Sequence, residues 1–124
     1  MKKMICAAAA AAFLLGGAAW PAHADTTVKK GKVGLVVKGK KLSVKQAGGW
    51  MNGHGTGVRA RLYSVHKGVR TDVTRWKDAT PTSAGMTKFS NVNWKLQGRQ
   101  FANGTWLCIE FNKTDATPCA KIHR

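Results

Sequence analysis

The sequence predicts an all-β fold: a small immunoglobulin-like β-sandwich with one disulfide, following an amino-terminal leader that is cleaved off. Three observations carry that expectation. Apolar residues recur at every second position in short runs separated by glycine, asparagine or proline, which is the period of a half-buried strand. Beyond the leader no run keeps the 3.6-residue period of a helix. Two cysteines, Cys108 and Cys119, remain once the leader is removed, an even pair in a chain expected to reach an oxidising compartment.

The leader is expected over residues 1–24. Lys2 and Lys3 supply its positive start, and Ile5 to Ala19 is an uncharged, alanine-rich run. Ala22-His23-Ala24 then puts small residues where signal peptidases cut, just before Asp25. The apolar run falls short of the roughly 20 residues that span a membrane, and no later segment does better. Cys6 lies too near the start for a lipoprotein signal and leaves with the leader. Residues 25–124 then form a single secreted, extracellular domain, with 25–45 as a basic amino-terminal segment. A domain of this size buries roughly two thirds of its unfolded surface. A bridge contributing about 3 kcal/mol therefore matters to its margin.

Along the domain, Val33, Leu35 and Val37 alternate, Gly39-Lys40 reads as a turn, and Leu42 and Val44 alternate against Lys41, Ser43 and Lys45. Gly48 to Gly57 reads as a glycine-rich loop, with Trp50 and Met51 as exposed contact residues. It lacks the lysine or the G-x-G-x-x-G spacing of a phosphate-cradling loop. Val58, Ala60 and Leu62 face inward while Arg59, Arg61 and Tyr63 face out. His66-Lys67-Gly68 turns into a strand over Val69 to Trp76, and Lys77 to Lys88, holding Pro81 and Gly85, reads as loop. Val92, Trp94 and Leu96 alternate next, then Leu107, Ile109 and Phe111 after the Asn103-Gly104 turn. Ala120 and Ile122 close the series, so Cys108 and Cys119 share one face of a terminal hairpin. Trp94 is expected in the core, with Trp76 and Trp106 covering the ends. Six or seven short strands result, a number that suits a sandwich or small barrel.

Charge narrows the function. The whole chain carries 21 Lys+Arg against 5 Asp+Glu, and loss of Lys2 and Lys3 lowers its formal charge from +16 to +14. Such a balance draws a protein to polyanions and acidic protein surfaces. Seven lysines fall between Lys29 and Lys45 with no acid among them. One reading is a solvated edge strand, guarded by lysine against mispairing. The other is a docking arm that enters an acidic groove or adds a strand to a partner's sheet. The partner-binding candidates are Lys29, Lys30, Lys32, Lys38, Lys40 and Lys41. No catalytic set is expected, because no serine or cysteine has a visible base. A ribonuclease could nominate only Glu110, His54 and Arg59, whose spacing does not match the guanyl-specific pattern. No metal or cofactor is expected, since neither cysteine has a histidine or third cysteine at ligand spacing. Tryptophans among basic residues also suit nucleic acid, though export argues against that target.

The basic amino-terminal hairpin, the block GGWMNGHGTGVRARLY and the tail GTWLCIEFN…PCAKIHR resemble small secreted actinobacterial proteins, above all the adaptor subunit of umbrella toxin particles. The resemblance implies a non-enzymatic connector in an extracellular antibacterial toxin complex. It would join a lectin-bearing subunit to a large toxin scaffold subunit, with the basic segment in an acidic cleft of the first; Lys29, Lys30 and Lys32 could enter it. The alternatives are a freestanding cationic antimicrobial or cell-wall-binding protein, drawn to anionic surfaces, and a small secreted ribonuclease.

The secreted protein is expected to begin at or near Asp25 and to hold no free thiol. Intact mass before and after reduction and alkylation checks both points; two cysteines alkylated without reduction would refute the bridge.

Overall fold

Residues 25–53 and 56–124 are described by a computed structural model. The leader expected over 1–24 lies outside the described residues, as do His54 and Gly55. Among the described residues ten strands form in chain order: β1 Thr26–Lys30, β2 Val33–Lys40, β3 Ser43–Asn52, β4 Arg59–His66, β5 Val69–Asp72, β6 Lys77–Asp78, β7 Thr80–Ala84, β8 Thr87–Gln100, β9 Thr105–Phe111 and β10 Cys119–Ile122. They make two antiparallel sheets. The first has the order β1-β2-β3-β8-β7 and the second β10-β9-β4-β5, with β6 paired to the start of β4. The all-β sandwich expected from the sequence is therefore present. At the centre of each sheet are strands far apart in sequence, β3 beside β8 and β4 beside β9.

Alternation explains the core. Val33, Leu35 and Val37 of β2, Ala47 and Met51 of β3, and Val92 of β8 turn inward from the first sheet. They meet Ala60 and Leu62 of β4, Leu107, Ile109 and Phe111 of β9, and Ala120 and Ile122 of β10, all buried. These strands give alternate side chains to one layer, so a single-residue slip would expose the whole set. Gly49 lets the layer close. It sits on the inner face of β3, where an added Cβ would lie 2.9 Å from Ile109 Cδ1 and collide with the Gly34 carbonyl.

The disulfide joins Cys108 to Cys119, which are directly opposite in the β9–β10 ladder. It lies within one sheet, on the face away from the core, and closes the terminal hairpin as the shared face of the two cysteines predicts. By contrast, the bridge of antibody domains spans the two sheets.

Several expected boundaries move. The Gly48–Gly57 loop is half strand: β3 runs through Gly48, Gly49, Trp50, Met51 and Asn52, and Met51 is buried rather than an exposed contact residue. The turn expected at Gly39-Lys40 falls at Lys41-Leu42, and Lys41 adopts a φ of 55°. Lys77 to Lys88 is not loop but holds β6, β7 and the start of β8. Pro81 misled because β7 is an edge strand, the position where a missing N–H is tolerated. The strand expected over Val69 to Trp76 stops at Asp72. Beyond it Val73 N and Thr74 N both donate to the Leu62 carbonyl, at 2.9 and 3.2 Å, and the Leu62 N–H donates to Thr74 Oγ1 at 2.9 Å. The chain thereby curls off the ladder. The Lys67-Gly68 turn is as expected, with φ of 52° and 78°, the left-handed pair that a two-residue hairpin needs.

Leu62 is fully buried and Met86 is 99% exposed. Leu62→Ala should therefore cost about 2–5 kcal/mol, and Met86→Ala less than about 0.5 kcal/mol. Urea unfolding of the two variants checks this, read as a midpoint shift at unchanged slope.

Candidate functional site

The six candidate lysines fall into two groups at opposite ends of β2. Lys29 and Lys30 close β1 and Lys32 sits in the turn that follows, all exposed. Lys38 and Lys40 end β2 and Lys41 forms the next turn. β2 has eight residues, so the groups stand roughly 23 Å apart at about 3.3 Å per residue. The first group is no free arm. Thr26 to Lys30 pair residue by residue with Val37 to Val33, and β1 is the outermost strand of its sheet. Its unpaired side is an edge carrying lysine.

The second group gains residues that the sequence pattern does not single out. Lys38, Lys40 and Lys45 line a groove of 620 Å³ with Ser43, Gln97 and Gly98, and Asp25 is the one acid on its rim. Lys40 and Lys41 line an adjoining groove with Arg124 and Gln100. Lys121 and His123 border a smaller cleft beside Lys41. The tail AKIHR reads as a strand, and nothing in its own pattern shows that β10 delivers Lys121 and Arg124 to the β2–β3 turn. A bulge helps to shape this end: three residues of β8, Leu96 to Gly98, oppose Lys45 alone on β3, between Val44↔Arg99 and Gln46↔Lys95. Gln97 and Gly98 take φ of 54° and 79° there, as a bulge that bends a strand demands.

The acids lie elsewhere. Arg59 Nε meets Asp78 at 3.1 Å, and Arg61 meets Asp72 at 3.4 Å and Glu110 at 3.3 Å. Arg70 meets Asp72 at 3.5 Å and also binds Glu110. Among the described residues, every ion pair is made by an arginine of β4 or β5. Arg61 also stacks on Trp76 at 4.6 Å and Arg70 on Tyr63 at 3.9 Å. Burial alone lowers the Arg70 pKa, but the hydrogen bond and charge of Glu110, with Asp72 and Tyr63 adding, outweigh it and hold the pKa above its usual value. Trp76 and Trp106 stay 40% and 44% exposed. Trp106, opposite Val65 and Lys121 in the ladders, shares the outer face of the second sheet rather than covering an end of the sandwich. Trp94 packs against the core, as expected.

The ribonuclease nominees do not converge as a free set. Glu110 is engaged by two guanidinium groups, Arg59 is engaged by Asp78, and His54 is outside the described residues. Among the described residues, no three His, Cys, Asp or Glu side chains gather as a metal ligand set, and no helix is long and apolar enough to cross a membrane.

Fold and charge together define a disulfide-closed β-sandwich with a neutralised arginine face on one sheet and an uncompensated lysine edge on the other. No family model, curated protein or solved structure matches this chain.

Glu110 lies between Arg61 and Arg70 with a mostly covered side chain. A double-mutant cycle of Arg61→Ala and Glu110→Ala should return a coupling of about 1 kcal/mol, the upper range for a pair in a network. Lys29→Ala should leave stability unchanged within about 0.5 kcal/mol. Urea titrations of these variants and the double mutant measure both.

Proposed function

We propose that this chain is a secreted, non-enzymatic binding protein that docks an acidic protein surface through its lysine-bearing amino-terminal hairpin. One observation carries this. Asp72, Asp78 and Glu110 are all paired with arginines of the second sheet, and among the described residues no lysine of β1 or β2 makes an ion pair. Leaving a cluster of like charges uncompensated costs self-repulsion, and an acidic partner removes that cost on binding. The edge position adds a second means of attachment, because the free side of β1 offers backbone groups to a partner strand.

The resemblance to umbrella toxin adaptors supplies the finer proposal. The partners would be a lectin-bearing subunit and a large toxin scaffold subunit of an extracellular antibacterial complex. A connector needs two attachment points, and the cationic groups at the two ends of β2 are far enough apart to serve two partners. Lys29, Lys30 and Lys32 would take the acidic cleft of the first. Lys38, Lys40 and Lys41, joined by Lys121 and Arg124, form the second cationic end.

Replacing Lys29, Lys30 and Lys32 by glutamate should abolish capture of one partner from culture supernatant while the fold persists, since these side chains stand outside the core. A like charge facing a desolvated acidic site costs several kcal/mol, far more than at an interface rim. A control triple at Lys88, Lys95 and Lys113 should retain the partner. Equal loss in both variants would mean that net charge alone drives binding.

A further inference from the structure

The outer face of the first sheet holds a groove that the lysine edge does not explain. It measures 440 Å³ and is lined by Val36, Gln46, Gly48, Trp50, Asn91 and Asn93, with Lys38 and Lys77 at its margins. Its volume is within the roughly 300–1,000 Å³ of ligand clefts. The ladders show how it arises. Val36, Gly48 and Asn93 lie opposite one another in one row across β2, β3 and β8; Gly34, Trp50 and Asn91 form the next row, and Lys38, Gln46 and Lys95 the row on the other side. Gly48 is therefore a gap in the middle of the face, bracketed by Trp50 and Gln46 along its own strand and by Val36 and Asn93 across it.

Two glycines build this surface. A Cβ at Gly34 would land inside the Trp50 ring, so only glycine lets the indole lie flat on β2. A Cβ at Gly48 would stand 2.7 Å from Asn93 Oδ1, so the amide leans over the gap. The result is a flat aromatic plate next to planar amides. Asn91 Nδ2 donates to Thr82 Oγ1 at 2.8 Å, whereas the side-chain amides of Gln46 and Asn93 have no hydrogen-bond partner among the described residues. Lys77 is anchored at the margin, its Nζ donating 2.5 Å to the Asn93 carbonyl and lying 5.9 Å from the Trp94 ring centre. Asp78, also at the margin, is taken up by Arg59.

We infer that this groove binds an anionic pyranose glycan. A pyranose has an apolar C–H face that packs on an indole, and vicinal hydroxyls that exchange paired hydrogen bonds with a planar amide, which offers both donor and acceptor. Lys38 and Lys77 stand where a carboxylate or similar acidic substituent on such a ring would lie. A peptide strand suits the site less well, because the groove crosses the centre of a sheet face, where every backbone group is already paired. The inference is separable from the adaptor role, since the groove shares only Lys38 with the two cationic ends and none of Lys29, Lys30 and Lys32.

Trigalacturonate serves as the probe, maltotriose as its neutral counterpart and hexaglutamate as an anion with no sugar. Each is titrated into the isolated secreted protein and followed by the indole N–H signals in 1H–15N spectra. Trigalacturonate should shift the Trp50 indole most. Trp50→Ala should weaken binding by about tenfold or more, the order expected for loss of one stacking partner. Should that variant not fold, Gln46→Ala/Asn93→Ala, which alters only the outer face, should weaken binding comparably. Lys38→Gln/Lys77→Gln should weaken it more than Lys40→Gln/Lys41→Gln, which removes the same charge elsewhere. The inference is overturned if trigalacturonate does not bind, if hexaglutamate binds as well at the same indole, or if the two lysine pairs behave alike. None of these results bears on capture of a protein partner through Lys29, Lys30 and Lys32, which the test leaves untouched.

Discussion

One apolar layer between two sheets holds together a chain whose charges push it apart. The formal charge of the chain is +16, and self-repulsion on that scale works against any compact state. Compactness must then come from burial. Leu35, Leu62, Leu107 and Ile109 are wholly inside, each such side chain contributing about 1.5–3 kcal/mol. The layer closes because Gly49 offers no Cβ to Ile109. Outside the layer, the Cys108–Cys119 bridge secures β10, the last strand of the second sheet.

Given that core, the placement of so few carboxylates decides what the surfaces can do. Asp72 and Glu110 converge on Arg61 and Arg70, and Asp78 takes Arg59. Opposite charges across neighbouring strands stabilise the ladder they join, so the second sheet acquires an electrically quiet outer face of arginine, acid and aromatic rings. The cost appears on the first sheet, where no lysine makes an ion pair among the described residues. Arginine suits the paired role because its planar fork can serve two carboxylates, whereas a lysine ammonium remains a hydrated point charge that an incoming partner can take up.

The alternation of Leu107, Ile109 and Phe111, and of Val33, Leu35 and Val37, is enough to make the sandwich legible in the sequence, and it also puts Cys108 and Cys119 on one face. Local chemistry misleads wherever tertiary context overrides it. Gly48 and Gly49 look like loop residues, yet they are strand residues whose missing side chains serve opposite faces, one opening the outer groove and the other closing the core. Pro81 looks like a break, yet an edge strand accommodates it. The lysine edge is readable because its residues are adjacent in sequence. The second cationic end is only half readable, since Lys121 and Arg124 reach it through the pairing of β10 with β9. Trp50 stands out in the sequence as a contact residue, but its seat on Gly34 depends on a register that periodicity alone does not supply.

The central claim is that the lysines of the first sheet are uncompensated because they meet a partner's carboxylates. Zero-length carbodiimide cross-linking in culture supernatant tests it directly, because a bond forms only where an amine and a carboxylate already touch. Cross-links from partner acids to Lys29, Lys30 or Lys32 are expected, with Lys38, Lys40 and Lys41 marking the second end, and few to Lys88, Lys95 or Lys113. Cross-links spread evenly over all exposed lysines, or confined to the last three, would contradict the account.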